Sequence, residues 1–135
     1  MHQPHSKPSL VLITGASSGI GRELARLFAR DRHHLFLIAR DEKDLFSLKS
    51  ELEEQPGVVA TCCVGDLTDE TFLRSLSDRV RATGVPLTHL INNAGMGAKG
   101  NFESTDWQQE EKSIYLNTLA PTLLTKLLLP DLIEN

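Results

Sequence analysis

The residues Thr14-Gly15-Ala16-Ser17-Ser18-Gly19-Ile20-Gly21 stand between an apolar run, Leu10-Val11-Leu12-Ile13, and a segment of helical period marked by Ile20, Leu24, Leu27 and Phe28. Glycines at such a turn let the main chain reverse tightly and let a ligand approach it without meeting a Cβ. A helix that begins there presents unpaired N–H groups and the positive end of its dipole, which together attract an anion. The pyrophosphate of a dinucleotide is an anion of this kind. Three residues separate the first two glycines and one separates the last two, so the spacing departs from the G-x-G-x-x-G form. No Gly-Lys-Ser/Thr follows the glycines, which excludes a P-loop phosphate site.

The elements that must position this turn alternate along the chain. Strand one is expected over about residues 9 to 14 and the first helix from about Ile20 to Asp31. Leu35-Phe36-Leu37-Ile38-Ala39 is a near-continuous apolar run, which suits a strand covered on both faces. A second helix from about Glu42 carries Leu45, Leu48 and Leu52 on one stripe, and Pro56-Gly57 ends it. Val58 to Val64 reads as strand three, and Asp69 as the cap of a helix bearing Phe72, Leu73, Leu76 and Val80. Gly84 and Pro86 stop that helix, and Leu87 to Ile91 reads as strand four. Repeated β-α units predict an α/β fold: a Rossmann-type doubly wound parallel sheet of four strands, incomplete, in the order 3-2-1-4. In that order the glycine turn meets Asn92-Asn93-Ala94-Gly95 across the crevice at the carboxyl ends of strands one and four.

The aperiodic stretch Gly95 to Phe102 is expected to loop over the crevice. One long helix then follows, capped by Ser104 or Thr105, with Trp107, Ile114, Leu119, Leu123, Leu127 and Leu128 on its buried face and a kink at Pro121.

Composition narrows the class. At 135 residues and 40% hydrophobic, the chain can build one packed domain, here residues 9–135 after a mobile arm at 1–8. His2 and His5 in that arm have no Cys or carboxylate nearby to complete a metal site, and no metal is expected elsewhere. A net charge of −4 argues against nucleic-acid partners. No run is long enough for a membrane span, and Met1 to Ser9 lacks the apolar core of a signal peptide, so a cytoplasmic protein is expected. Adjacent Cys62 and Cys63 would face opposite sides of a strand, which suits neither a disulfide nor a shared metal.

These residues resemble the short-chain dehydrogenase/reductase family. Its Thr-Gly-x-x-x-Gly-x-Gly motif is met by Thr14, Gly15, Gly19 and Gly21, and its Asn-Asn-Ala-Gly signature by Asn92 to Gly95. The resemblance implies cofactor contacts from Thr14, Gly15, Ser17, Ser18, Gly19, Ile20 and Gly21. It implies further contacts from Asp66 and Leu67 in Gly65-Asp66-Leu67-Thr68, with Asp66 at the adenine, and from Asn93, Ala94 and Gly95. Asn117 matches the helix asparagine of the family's catalytic set. The partner implied is a small carbonyl or alcohol substrate, and the full-length protein is expected to be a homo-oligomer.

Charge argues the cofactor. Enzymes that prefer NAD carry a carboxylate at the end of strand two for the ribose 2′-hydroxyl, whereas this chain has Ala39 followed by Arg40. A guanidinium fork there favours a 2′-phosphate, and so NADP(H) over NAD(H). Asp41 beside it weakens the local field, and Ser18 stands where such enzymes often carry a second basic residue.

The departure from the family lies in the Tyr-x-x-x-Lys pair. The family uses the tyrosine as acid or base, with the lysine lowering its pKa. The single tyrosine here, Tyr115, has Leu119 four residues on and is expected to pack beside Trp107 or lie at the surface. Three readings follow: the amino-terminal part of an NADP(H)-dependent oxidoreductase, a non-catalytic nucleotide-binding module, or a half-enzyme completed by another chain. The Asn117 match and the long final helix favour the first. A methyltransferase would want a carboxylate where Ala39 stands. The uncovered edge of strand four and the long-helix face are expected to promote association.

Overall fold

The computed structural model of the protein describes residues 7–135. Most of the arm, with His2 and His5, lies outside the described residues. The chain runs β1 (Leu10–Thr14), α1 (Gly19–Arg30), β2 (His34–Ala39), α2 (Glu42–Leu52), β3 (Ala60–Val64), α3 (Glu70–Ala82) and β4 (Leu87–Ile91). A 3-10 turn (Phe102–Ser104) precedes α4 (Trp107–Ile114), a π turn (Tyr115–Leu119) and α5 (Ala120–Glu134). The sheet is four-stranded and parallel in the order β3-β2-β1-β4, with Leu12 opposite Phe36 on one side and Leu90 on the other. Strand three enters its ladder at Ala60, two residues later than the apolar pattern suggests. Val58 is buried ahead of it, and the Val59 carbonyl already accepts Leu35 N–H at 2.9 Å.

Because side chains alternate across a strand, the apolar runs feed two cores. Leu10, Leu12, Phe36, Ile38 and Cys63 face α3 and α5, where Leu73, Leu76, Val80, Ala120, Leu124 and Leu128 close over them. Val11, Ile13, Leu35 and Leu37 face α1 and α2, against Ala25, Ala29, Leu45, Leu48 and Leu52. Cys62 and Cys63 accordingly lie on opposite faces, the first against this second core and the second within the other.

Two apolar stripes follow their sequence period only in part: Leu24 and Phe28 pack against the core under α1 and α2, and Leu123 and Leu128 against the one under α3 and α5. In α1 the residues buried against the sheet are Gly21, Ala25 and Ala29, while Ile20 is 73% exposed and Leu27 also lies outside. The small residues win because they let the helix sit close to the sheet. In the final helix Ala120, Leu124 and Leu128 are buried, whereas Trp107 (66% exposed), Ile114 and Leu119 are not. No residue of α4 is buried. A π turn inserts a residue and so rotates the helical face by roughly 100°, breaking the expected stripe in two.

The π turn also shows what Pro121 does. Proline has no N–H for the Asn117 carbonyl, and its ring crowds that carbonyl. The widened turn, in which Ala120 N–H reaches the Tyr115 carbonyl, brings Pro121 into the first turn of α5. A second proline, Pro130, also lies inside α5.

Ser104 and Thr105 do not cap the helix; Asp106 does, its carboxylate accepting Gln108 N–H at 3.3 Å. The two hydroxyls are turned back instead, Ser104 Oγ donating to the Asn101 carbonyl and Thr105 Oγ1 to the Phe102 carbonyl or the Glu110 carboxylate.

Candidate functional site

The turn after β1 is held from across the sheet. Buried Thr14 accepts the N–H groups of Asn93 at 3.0 Å and Ala94 at 2.9 Å on its hydroxyl. The Asn93 side-chain amide donates to the Thr14 and Gly15 carbonyls, both at 3.1 Å. Gly15 has φ +64°, and a Cβ there would come within 3.0 Å of Ala94 Cα. A Cβ on Gly21 would fall on the Gly15 carbonyl. Both positions therefore require glycine. Arg22 completes the turn by donating to the Ser17 carbonyl.

In front of this turn lies a crevice of about 610 Å³ at the carboxyl ends of the strands. Gly15, Ser17, Ser18, Gly19 and Ile20 line it from the first turn, and Arg40 from the end of β2. Asp66 and Leu67 line it after β3, and Asn93, Ala94 and Gly95 after β4. Thr14 and Gly21 lie behind the surface and shape it. The Asp residues 41, 69 and 106 cap α2, α3 and α4 with their carboxylates, but α1 has no side-chain cap and no acidic residue in its first turn. No side chain thus answers its first amides, and Ser18, Gly19 and Ile20 line the crevice at this helix start, which fits an anionic ligand.

Asp66 is exposed on the crevice wall. Desolvation alone would raise its carboxyl, but Thr68 donates both its N–H (2.9 Å) and its hydroxyl (2.8 Å), and nearby Arg40 and Lys112 add to them; the net result lies below the ordinary carboxylate value.

Asn117 does not line the crevice. Its side chain accepts Met96 N–H at 2.9 Å and donates to the Met96 carbonyl at 2.6 Å and to Ser113 Oγ at 3.2 Å. The amide thus fixes the main chain just after Asn93-Ala94-Gly95. Tyr115 packs on the α3–α5 core rather than beside Trp107, and desolvation, with Glu70 adding to it, pushes its phenol above the ordinary value.

Sequence reasoning missed Gln109, Lys112 and Leu116, which α4 and the π turn add to the crevice. Their spacing of three and four residues is the signal, legible once α4 is known to start beside the crevice. Among the described residues no group of three or more His, Cys, Asp or Glu side chains could hold a metal, and no helix is long and apolar enough to cross a membrane.

A parallel sheet in the order β3-β2-β1-β4 with a glycine turn clamped to the loop after β4 defines a Rossmann-type α/β protein. The chain belongs to the short chain dehydrogenase family, whose sequence pattern matches residues 9–135. It is similar to a very-long-chain 3-oxoacyl-CoA reductase of Kluyveromyces lactis, 33% identical over 128 residues, covering 93% of this chain and 37% of the relative. A fatty acyl-CoA reductase of Acinetobacter baylyi is 36% identical over 130 residues, covering 95% and 44%. Among solved structures, a short-chain dehydrogenase from Sphingobium yanoikuyae in complex with NADPH superposes with a TM-score of 0.85 at 40% identity, covering 93% of this chain and 49% of the other. The chain thus spans less than half the length of these proteins.

Proposed function

We propose that the crevice binds NADP(H) in preference to NAD(H), and that residues 9–135 form the nucleotide-binding part of an oxidoreductase acting on a small carbonyl or alcohol. The observation that carries this reading is the uncapped N terminus of α1 opening into a crevice that also holds Arg40. The first supplies donors for a pyrophosphate, and the second a fork for a 2′-phosphate. The solved relative carrying NADPH, and two relatives named as reductases, support it.

Bound nicotinamide would supply hydride chemistry. This chain's own residues bind and orient: Thr14 and Asn93 fix the turn, Gly15 and Gly21 keep it open, and Asp66 accepts hydrogen bonds from the adenine end. Asn117 acts as a positioning residue through the Met96 main chain, since an amide neither gives nor takes a proton near neutral pH. The 135 residues contain no Tyr-x-x-x-Lys, so turnover requires an acid from outside this stretch.

The test is equilibrium titration of the 135-residue protein with NADPH and NADH, alongside a carbonyl-reduction assay. Tighter NADPH binding with no turnover above background is expected. A preference for NADH overturns the reading of Arg40, and turnover by this chain alone overturns that of the missing acid.

A further inference from the structure

Two cations and two carboxylates line the crevice, and their engagements differ. Asp41 spends a carboxylate oxygen on Asp44 N–H as the cap of α2, and Asp66 accepts two hydrogen bonds from Thr68. Arg40 and Lys112 line the same crevice, and among the described residues neither has a carboxylate partner. One oxygen of each carboxylate thus accepts from within the protein, whereas neither cation forms an ion pair at salt-bridge distance among the described residues. Ser18, on the turn itself, contributes no charge.

We propose that Lys112 is a specificity-determining residue of this crevice, its ammonium joining the Arg40 guanidinium in holding the 2′-phosphate that distinguishes NADP(H) from NAD(H). The proposal rests on the dinucleotide reading above. Arg40 comes from the end of β2 and Lys112 from α4, and both line the crevice that Asp66 also lines. A 2′-phosphate carries more negative charge than one guanidinium neutralises, so a second cation adds attraction that a 2′-hydroxyl cannot elicit. Lysine suits this role, because its flexible stem lets the point charge follow the phosphate. Gln109 and Leu116, which line the crevice from the same helical face, fix which way that face of the helix is turned.

The experiment titrates the 135-residue protein with adenosine 2′,5′-bisphosphate and with adenosine 5′-monophosphate, which differ by the 2′-phosphate alone. Wild type is expected to bind the bisphosphate more tightly. Lys112→Gln is expected to weaken the bisphosphate about tenfold while changing the monophosphate by less than about twofold, and Lys112→Arg to retain most of the preference. An equal loss for both ligands, or no loss for either, overturns the role of Lys112. Wild type that binds both ligands equally overturns it too, yet leaves the crevice a nucleotide site. Wild type that binds neither overturns the dinucleotide reading along with it.

Discussion

The hydroxyl of Thr14 lies 2.9 Å from the main-chain nitrogen of Ala94, a residue 80 positions further along the chain. It also accepts Asn93 N–H at 3.0 Å, so one buried side chain joins the carboxyl ends of β1 and β4. Removing it leaves two N–H groups without their acceptor, and an unpaired buried polar group costs about 1–3 kcal/mol. Thr14→Val, close in shape, is expected to lower unfolding free energy by roughly 2–4 kcal/mol in urea denaturation. Thr14→Ser should restore most of it, which separates the hydroxyl from the methyl group.

Gly21 makes a sharper case, because its defect is local to the ligand turn. A Cβ there meets the Gly15 carbonyl, a backbone atom that cannot swing aside. Gly21→Ala should shift the turn and weaken NADPH binding by at least about tenfold. The same variant should weaken NADH by a similar factor, since both cofactors share the pyrophosphate. Unchanged affinity for both would place the ligand elsewhere.

Arg40 is expected to behave in the opposite manner. Arg40→Ala leaves the glycine turn intact and removes the charge proposed to hold the 2′-phosphate. A loss of about tenfold for NADPH with NADH nearly unchanged is expected, read by the same titration at low salt. Because the site is open to solvent, the difference should shrink as ionic strength rises.

The division between what could and could not be read from the sequence follows the range of the forces involved. Strand order and the meeting of Gly15 with Ala94 were legible, because β-α repetition and right-handed crossover leave few topologies. Leu45, Leu48 and Leu52 were legible as a stripe because α2 packs along its whole length. Leu119 and Ile114 were not, since the π turn that follows Ile114 and ends at Leu119 depends on how Pro121 is accommodated. Asp106 is not legible as the cap, because nothing in the sequence shows that its hydroxyl neighbours Ser104 and Thr105 bond backwards. Ile20 and Leu27 misled because α1 approaches the sheet through Gly21, Ala25 and Ala29. Lys112 was hidden for a related reason: its place depends on where α4 projects, a tertiary property.

His33 offers a test at the far end of the sheet from the crevice. Its Nδ1 lies 2.6 Å from Ser9 Oγ, and its ring stands edge-on to Phe28 and to His89, with centroids 5.5 Å away in each case. Partial burial, with the neighbouring His89 adding to it and Asp31 opposing, holds the His33 pKa below its ordinary value of 6.5. Between the folded and unfolded pKa values the unfolded chain binds more protons, so stability rises with pH across that window. The contribution is fully present above pH 6.5 and is lost as pH falls toward the folded value. Urea midpoints should therefore drop between pH 7.5 and 5.5, roughly the range over which an imidazole takes up its proton. His33→Gln, which keeps a polar partner for Ser9 but cannot take up that proton, should flatten the dependence. An unchanged slope in that variant would move the titrating group away from His33.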